Sequence, residues 1–122
     1  MSEGEAPRPI EIRGRRASRD LYLRFDDGAE FTLPFEYLRV FSPSAEVTGH
    51  GGAPRLLVAG KENVGVSAVE PVGQYAVRIV FDDGHDSGLY SWRILRTLGE
   101  NFEHNWQDYR ARLERAGIGR KG

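Results

Sequence analysis

With 122 residues, 39% of them hydrophobic, the chain is long enough for one domain that buries about two-thirds of the surface its unfolded form exposes. It contains no cysteine, which excludes disulfides, thiolate metal sites and a cysteine nucleophile. A net charge of -1 argues against a dominant polyanion-binding role, although fifteen arginines against two lysines is a bias that suits carboxylate and phosphate partners.

Residues 1–18, opening "MSEGEAPRPI", are short of apolar side chains and predict a flexible tail. Neither this segment nor any other has the run of about 18 apolar residues that a membrane span requires, and no hydrophobic signal region opens the chain. The expectation is a soluble, cytoplasmic protein with a single domain over residues 19–117 and a second short tail over 118–122.

Inside that domain one pattern occurs twice, as "LRFDDGAEFTLPFEYLR" from Leu23 and "IVFDDGHDSGLYSWRILR" from Ile79, the second longer by one residue. Each reads as strand, Asp-Asp-Gly turn, strand and short helix. Register decides the turn length, because a hairpin must put its apolar residues on one face. A three-residue loop with Gly28 at positive φ sets Phe25 opposite Ala29, Leu23 opposite Phe31 and Leu21 opposite Leu33, all on one face, with Arg24 and Glu30 paired on the other. Applied to the second copy, the same register puts His85 opposite Phe81, Ser87 opposite Ile79 and Leu89 opposite Val77.

Pro34 suits a first helical position, and Ser91 caps a second short helix that Gly99 is expected to end. "RLLVAG" and "VGVSAVEPVGQYAVRIVF" read as further strands, with a turn around Pro71 to Gly73, while Ser42 to Pro54 reads as a loop. Phe102, Trp106, Tyr109 and Leu113 recur at helical spacing up to Gly117, one apolar face of a closing helix. The fold class is α+β: an antiparallel sheet built from two repeated hairpin-plus-helix units, covered by a C-terminal helix.

Residues with chemistry are few. Asp82, Asp83 and Asp86 surround His85, an arrangement able to orient a general base, but Asp-Asp-Gly is also turn chemistry and the first copy repeats it with no histidine. "GHGG" at Gly49 to Gly52 fits neither a P-loop nor a dinucleotide fingerprint. His50, His85 and His104 lack the spacing of a zinc set, and His104 has Asp108 one turn along its helix. The arginines at 13, 15, 16 and 19 and at 110, 112 and 115 are interleaved with acids, so nucleic acid is not an expected partner.

Taken together, "LRFDDGAEFTLPFEYLRVFSPS" and "VRIVFDDGHDSGLYSWRILRTL" resemble the family long labelled DUF971, the gamma-butyrobetaine hydroxylase-like N-terminal domain, over roughly Arg19 to Tyr109. The resemblance implies a stand-alone bacterial member of a family that also precedes the catalytic domain of butyrobetaine and trimethyllysine dioxygenases and is attached to a plastid P-loop ATPase carrying iron–sulfur clusters. In the dioxygenases it implies a structural zinc held by three cysteines after a Trp-Leu-Arg stretch, plus a histidine in the later hairpin. Here "YLRVFSPSAEV" puts Ser42, Ser44 and Val47 at the cysteine positions and leaves only His85. Hydroxyls are poor zinc ligands, so no zinc and no other cofactor is expected. The iron ligands of those dioxygenases belong to a separate catalytic domain, and no histidine here is followed by an acid two places on.

The function expected on these grounds is a non-catalytic accessory domain that binds an unidentified protein partner, linked to iron–sulfur or dioxygenase systems. One alternative is a metal-binding protein using His85. A second is an enzyme or binder of a small anionic metabolite, with Arg39, Arg93, Asp83 and Asp86 as its binding surface.

Overall fold

The computed structural model describes residues 7–43 and 57–119. Its elements are β1 (Pro9–Arg15), β2 (Asp20–Phe25), β3 (Glu30–Pro34), α1 (Phe35–Val40), β4 (Val66–Val72), β5 (Ala76–Phe81), β6 (Leu89–Ser91), α2 (Trp92–Glu100) and α3 (Phe102–Arg115). The strands form two antiparallel sheets of three, ordered β1-β2-β3 and β4-β5-β6, and each sheet leads directly into a helix. The architecture is α+β, and the repeated unit is larger than the hairpin pattern alone: strand, strand, strand, helix, twice.

The first hairpin has the register that its apolar face demands. Leu21 pairs with Leu33, Leu23 with Phe31 and Arg24 with Glu30. The Phe25 N–H donates to the Ala29 carbonyl at 2.8 Å and Gly28 sits at φ 90, so the three-residue loop with a left-handed glycine is present. Leu21, Leu23, Phe25 and Leu33 are buried completely or nearly so, a burial that stabilises by about 1.5–3 kcal/mol for each such side chain.

The second hairpin begins alike, with Phe81 N–H donating to the His85 carbonyl at 3.0 Å and Gly84 at φ 94. The strand then slips by one: Val77 pairs with Tyr90, and Leu89 faces Arg78 on the outer side. The expected pairing of Leu89 with Val77 is therefore corrected. The extra residue of this copy is absorbed in the irregular stretch before Leu89, so the fully buried Tyr90 fills the core position and Leu89 is left 48% exposed.

The expected flexible tail through residue 18 is corrected as well. Pro9–Arg15 is a strand paired along β2 from Pro9↔Phe25 to Arg15↔Asp20, and Ile12 packs against the core. Its second-copy counterpart is β4, paired from Val66↔Phe81 to Val72↔Ala76, and the register shifts at the same step, Pro9/Glu11 in one and Val66/Ala68 in the other. The connecting turn of the second copy follows Val72, with Gly73 at φ 60. Leu57 to Gly60, the described part of "RLLVAG", forms no strand.

Gly99 does not end α2, which runs to Glu100. Its role is a close approach: a Cβ there would lie 2.7 Å from the Phe31 ring, itself edge-on to Phe25 at 5.8 Å between centroids. Alanine usually stabilises a helix interior by about 1 kcal/mol relative to glycine, but here the ring blocks the added methyl. Gly99→Ala is expected to destabilise by about 1–2 kcal/mol through overpacking. In a Phe31→Ala background the same change should become stabilising. Urea denaturation of the four proteins checks this, and a gain on Gly99→Ala alone would contradict the packing described.

α3 lays the predicted stripe on the rest of the domain. Tyr109 and Leu113 are buried, Phe102 and Trp106 pack against the core, and Tyr109 Oη donates to the Val58 carbonyl at 2.6 Å. Gly117 at φ 73 ends it, with its own N–H and that of Ile118 donating back to Glu114 and Leu113 carbonyls. None of the helices among the described residues is long and apolar enough to cross a membrane.

Candidate functional site

The duplication makes each functional side chain comparable with a twin. Both Asp-Asp-Gly bends are wired alike. In each, the first aspartate accepts from a backbone N–H of the neighbouring strand's start, Asp26 from Arg8 at 3.3 Å and Asp82 from Gly65 at 3.0 Å. The second closes its own turn, Asp27 accepting from Ala29 N–H at 3.2 Å and Asp83 from His85 N–H at 3.1 Å. Most of the acids beside His85 are therefore backbone fasteners. Asp86 is exposed and acts on Arg78 through its charge.

The same second aspartate also crosses to the other copy. Arg39 at the end of α1 donates to Asp83 at 2.8 Å, and Arg96 of α2 grips Asp27 with two nitrogens at 3.0 Å each. The helix of each unit thus holds the turn of its twin. The two pairs differ in burial: the Arg39 side chain is only 12% exposed, and its Nη1 is buried without a hydrogen-bond partner among the described residues. Arg96 also bonds Glu100 at 2.7 Å and covers the rings of Phe25 and Phe31.

Around Asp83 the second turn gathers four groups that the first lacks: Lys61, His85, Ser42 and Tyr90. Lys61 Nζ donates to the Asp83 carboxylate at 2.7 Å. Burial by itself raises the Asp83 carboxyl, but hydrogen bonds from Lys61, the His85 N–H and Arg39 outweigh it and hold its pKa down to about 2. On the other side of the turn, His85 Nε2 lies 2.9 Å from Ser42 Oγ, and Ser42 is fully buried. Tyr90, also fully buried, donates to the Leu38 carbonyl at 2.6 Å; burial pushes its phenol far up, while a hydrogen bond from Ser42 partly opposes this. Gly88 lets these groups meet, since a Cβ there would sit 2.6 Å from Ser42 Oγ and 3.1 Å from the Tyr90 ring.

Chemically this is a latch. A serine hydroxyl next to an imidazole has the outline of a nucleophile and its base, but Ser42 is fully buried, and the Asp83 carboxylate is occupied at both oxygens, one by the backbone N–H of His85 and the other by Arg39 and Lys61. The zinc set of the resembling dioxygenases also does not fit. Ser42 and His85 bring two of those four positions together, but the pair offers one imidazole and a hydroxyl, and no thiolate exists in the chain. Ser44, Val47 and His50 lie outside the described residues, and His104 is exposed on α3. Among the described residues no group of three or more His, Asp or Glu is able to hold a metal ion.

Of the expected binding surface, Arg39 and Asp83 meet in the latch, whereas Arg93 stands exposed on α2. Sequence reasoning missed Lys61, Ser42 as a partner of His85, and the crossed pairing. The signal for the last was present: Arg39 and Arg96 close the two repeated patterns at matching places.

The model of the family described as gamma-butyrobetaine hydroxylase-like, N-terminal, matches residues 12–96. Among solved structures, a protein known from an NMR solution structure is 48% identical, covers 98% of this chain and 89% of its own, and superposes with a TM-score of 0.82. A second NMR structure is 46% identical over 96% of this chain and 92% of its own, with a TM-score of 0.81. The crystal structure of a DUF971 protein of unknown function from Acidithiobacillus ferrooxidans is 40% identical over 78% of this chain and 98% of its own, with a TM-score of 0.65. No curated protein matches the chain.

Proposed function

Because the chain belongs to the gamma-butyrobetaine hydroxylase-like N-terminal (DUF971) family, we propose that it acts without catalysis, as a small module that binds a protein partner through the outer face of its second sheet. One contrast between the twins carries this reading. On the first sheet the outer positions are charged or polar, among them Glu11, Arg13, Arg15, Tyr22, Arg24 and Glu30, tied by ion pairs such as Arg15–Asp20 and Arg24–Glu11. On the second sheet the corresponding strands present Ala68, Val72, Ala76, Val80 and Leu89 around one ion pair among the described residues, Arg78–Glu70. Val72 is 40% exposed, Leu89 48%, and Tyr75 in the adjoining turn 70%. An apolar face where the twin unit keeps a charged one is what a contact surface requires. The partner class favoured by the family's attachments is a larger enzyme of the dioxygenase or iron–sulfur ATPase kind. The latch supports the non-catalytic half of the reading, since its reactive groups are committed to holding α1 against the second hairpin.

Site-specific photo-crosslinking in the source cell tests the surface. A crosslinker at Leu89 is expected to trap one discrete protein, and the same crosslinker at Thr32, on the corresponding strand of the first sheet, should trap none. Equal trapping from both positions, or no adduct from Leu89, would overturn the proposal. Elemental analysis of untagged protein addresses the rival: one equivalent of zinc or iron that disappears on His85→Ala would replace a partner-binding module with a metal carrier.

A further inference from the structure

The turn between β1 and β2 faces the start of β4 across a groove. It consists of a cavity of about 310 Å³ lined by Arg16, Arg19, Phe35, Gly65, Ser67 and Asp82, and an adjoining one of about 230 Å³ that shares Arg16, Phe35 and Ser67 and continues along Val66 to Val69. The larger cavity has the size of a small ligand site. Phe35 and Val66 are its apolar lining residues, and it carries two guanidinium groups against one carboxylate.

Three observations make those arginines more than surface charge. Arg16 has no hydrogen-bonding partner among the described residues, while Asp82 already accepts the Gly65 N–H at 3.0 Å. Arg19 adopts φ 55, the sole non-glycine residue with positive φ among the described residues. That conformation costs a β-carbon-bearing residue of order 1 kcal/mol or more, and strain of this kind collects where a side chain has to be aimed. In the second copy the residue in the equivalent place, Tyr75, whose carbonyl accepts the first N–H of α2 from Trp92, does not have positive φ, so the fold makes this connection to the helix without that strain. Finally, Arg19 is held from both ends: its carbonyl accepts the first N–H of α1, from Phe35, at 2.9 Å, and one guanidinium nitrogen donates to Asn63 at 2.9 Å, leaving the rest of the fork for another acceptor.

We propose that this groove binds a small organic anion, a carboxylate or phosphate monoester with a short apolar body, whose charged end meets Arg16 and Arg19 while its body lies over Phe35 and Val66. This groove borders the outer face assigned to a protein partner, with Ala68 common to both, but its charged end, Arg16 and Arg19, lies outside that face.

The test is an NMR titration of the ¹⁵N-labelled full chain with hexanoate, phenyl phosphate and inorganic phosphate, at ionic strength held constant with sodium chloride. Hexanoate or phenyl phosphate is expected to shift the amides of Arg16 to Arg19 and of Gly65 to Val69 saturably and at lower concentration than inorganic phosphate, and the better of the two identifies the headgroup. Arg16→Ala and Arg19→Gly should each raise the half-saturating concentration, and together by at least tenfold. Arg19→Gly separates binding from folding, because glycine accepts φ 55 and the melting temperature should stay level or rise. Arg13→Ala, on β1 outside the groove, should change nothing. Shifts that are linear and spread over the surface, or that survive the double substitution, would overturn the proposal.

Discussion

Tyr37→Ala is expected to cost about 3–5 kcal/mol of stability, the range for truncating a fully buried aromatic side chain. Tyr37 has no exposed surface and stands where α1, α2 and α3 meet. Its ring contacts Phe41, Phe102 and Trp106 at 5.0, 4.8 and 5.9 Å between centroids, and its hydroxyl donates to the Leu98 carbonyl at 2.7 Å while accepting from Asn105 Nδ2 at 3.0 Å. Removing it empties the joint that docks the last helix. Tyr37→Phe keeps the ring and strips the hydroxyl, leaving the Leu98 carbonyl unsatisfied, at about 1–3 kcal/mol. Guanidinium denaturation followed by far-UV circular dichroism measures both, and a loss below 1 kcal/mol for Tyr37→Ala would contradict this picture. Burial also pushes the Tyr37 phenol up to about 12 from its ordinary 10.0, so its contribution is present in full below pH 10 and fades as the pH climbs toward 12.

Asp83→Asn is expected to destabilise by about 3 kcal/mol, and Asp27→Asn by much less. Although the two aspartates occupy equivalent turns, Arg39 is 12% exposed and one of its nitrogens has no hydrogen-bond partner among the described residues, so neutralising Asp83 leaves a largely buried cation without its counter-charge. Arg96 is better provided for: it retains Glu100 at 2.7 Å, and Asp27 itself is 42% exposed. The pH dependence follows the sign of the shift. A carboxyl held at about 2 instead of 3.8 stabilises the fold above pH 4, and that contribution is lost as the pH falls from 4 toward 2. Urea titrations of wild type and Asp83→Asn should therefore show a gap at pH 7 that narrows by pH 3. A gap that is the same at both values would rule out the ionised pair as its source.

The sequence by itself determined the duplicated hairpin, the turn chemistry of Asp26 to Gly28 and the apolar face of Leu21, Leu23, Phe25 and Leu33, because alternation and loop length admit only one register when a face must be buried. It determined the closing helix for the same reason, from a stripe at helical period. It also carried enough of the repeated pattern and its flanking segments to identify the family. Only the tertiary structure decided the rest. β1 escaped notice because "PIEIRGR" and its counterpart "VSAVEPV" share position and pairing but almost no residues: an outer strand is specified by the neighbour whose hydrogen bonds it completes. The slip that buries Tyr90 and exposes Leu89 depended on where an extra residue could be absorbed, which is settled by packing around Gly88. The crossed pairs Arg39–Asp83 and Arg96–Asp27 join residues 44 and 69 positions apart; the repeat places the two arginines alike, but only the folded chain sets each against the turn of the other copy. The candidate site divides along the same line: His85 and its acids were legible as a cluster, but the burial of Ser42 against His85 is a property of the folded chain alone.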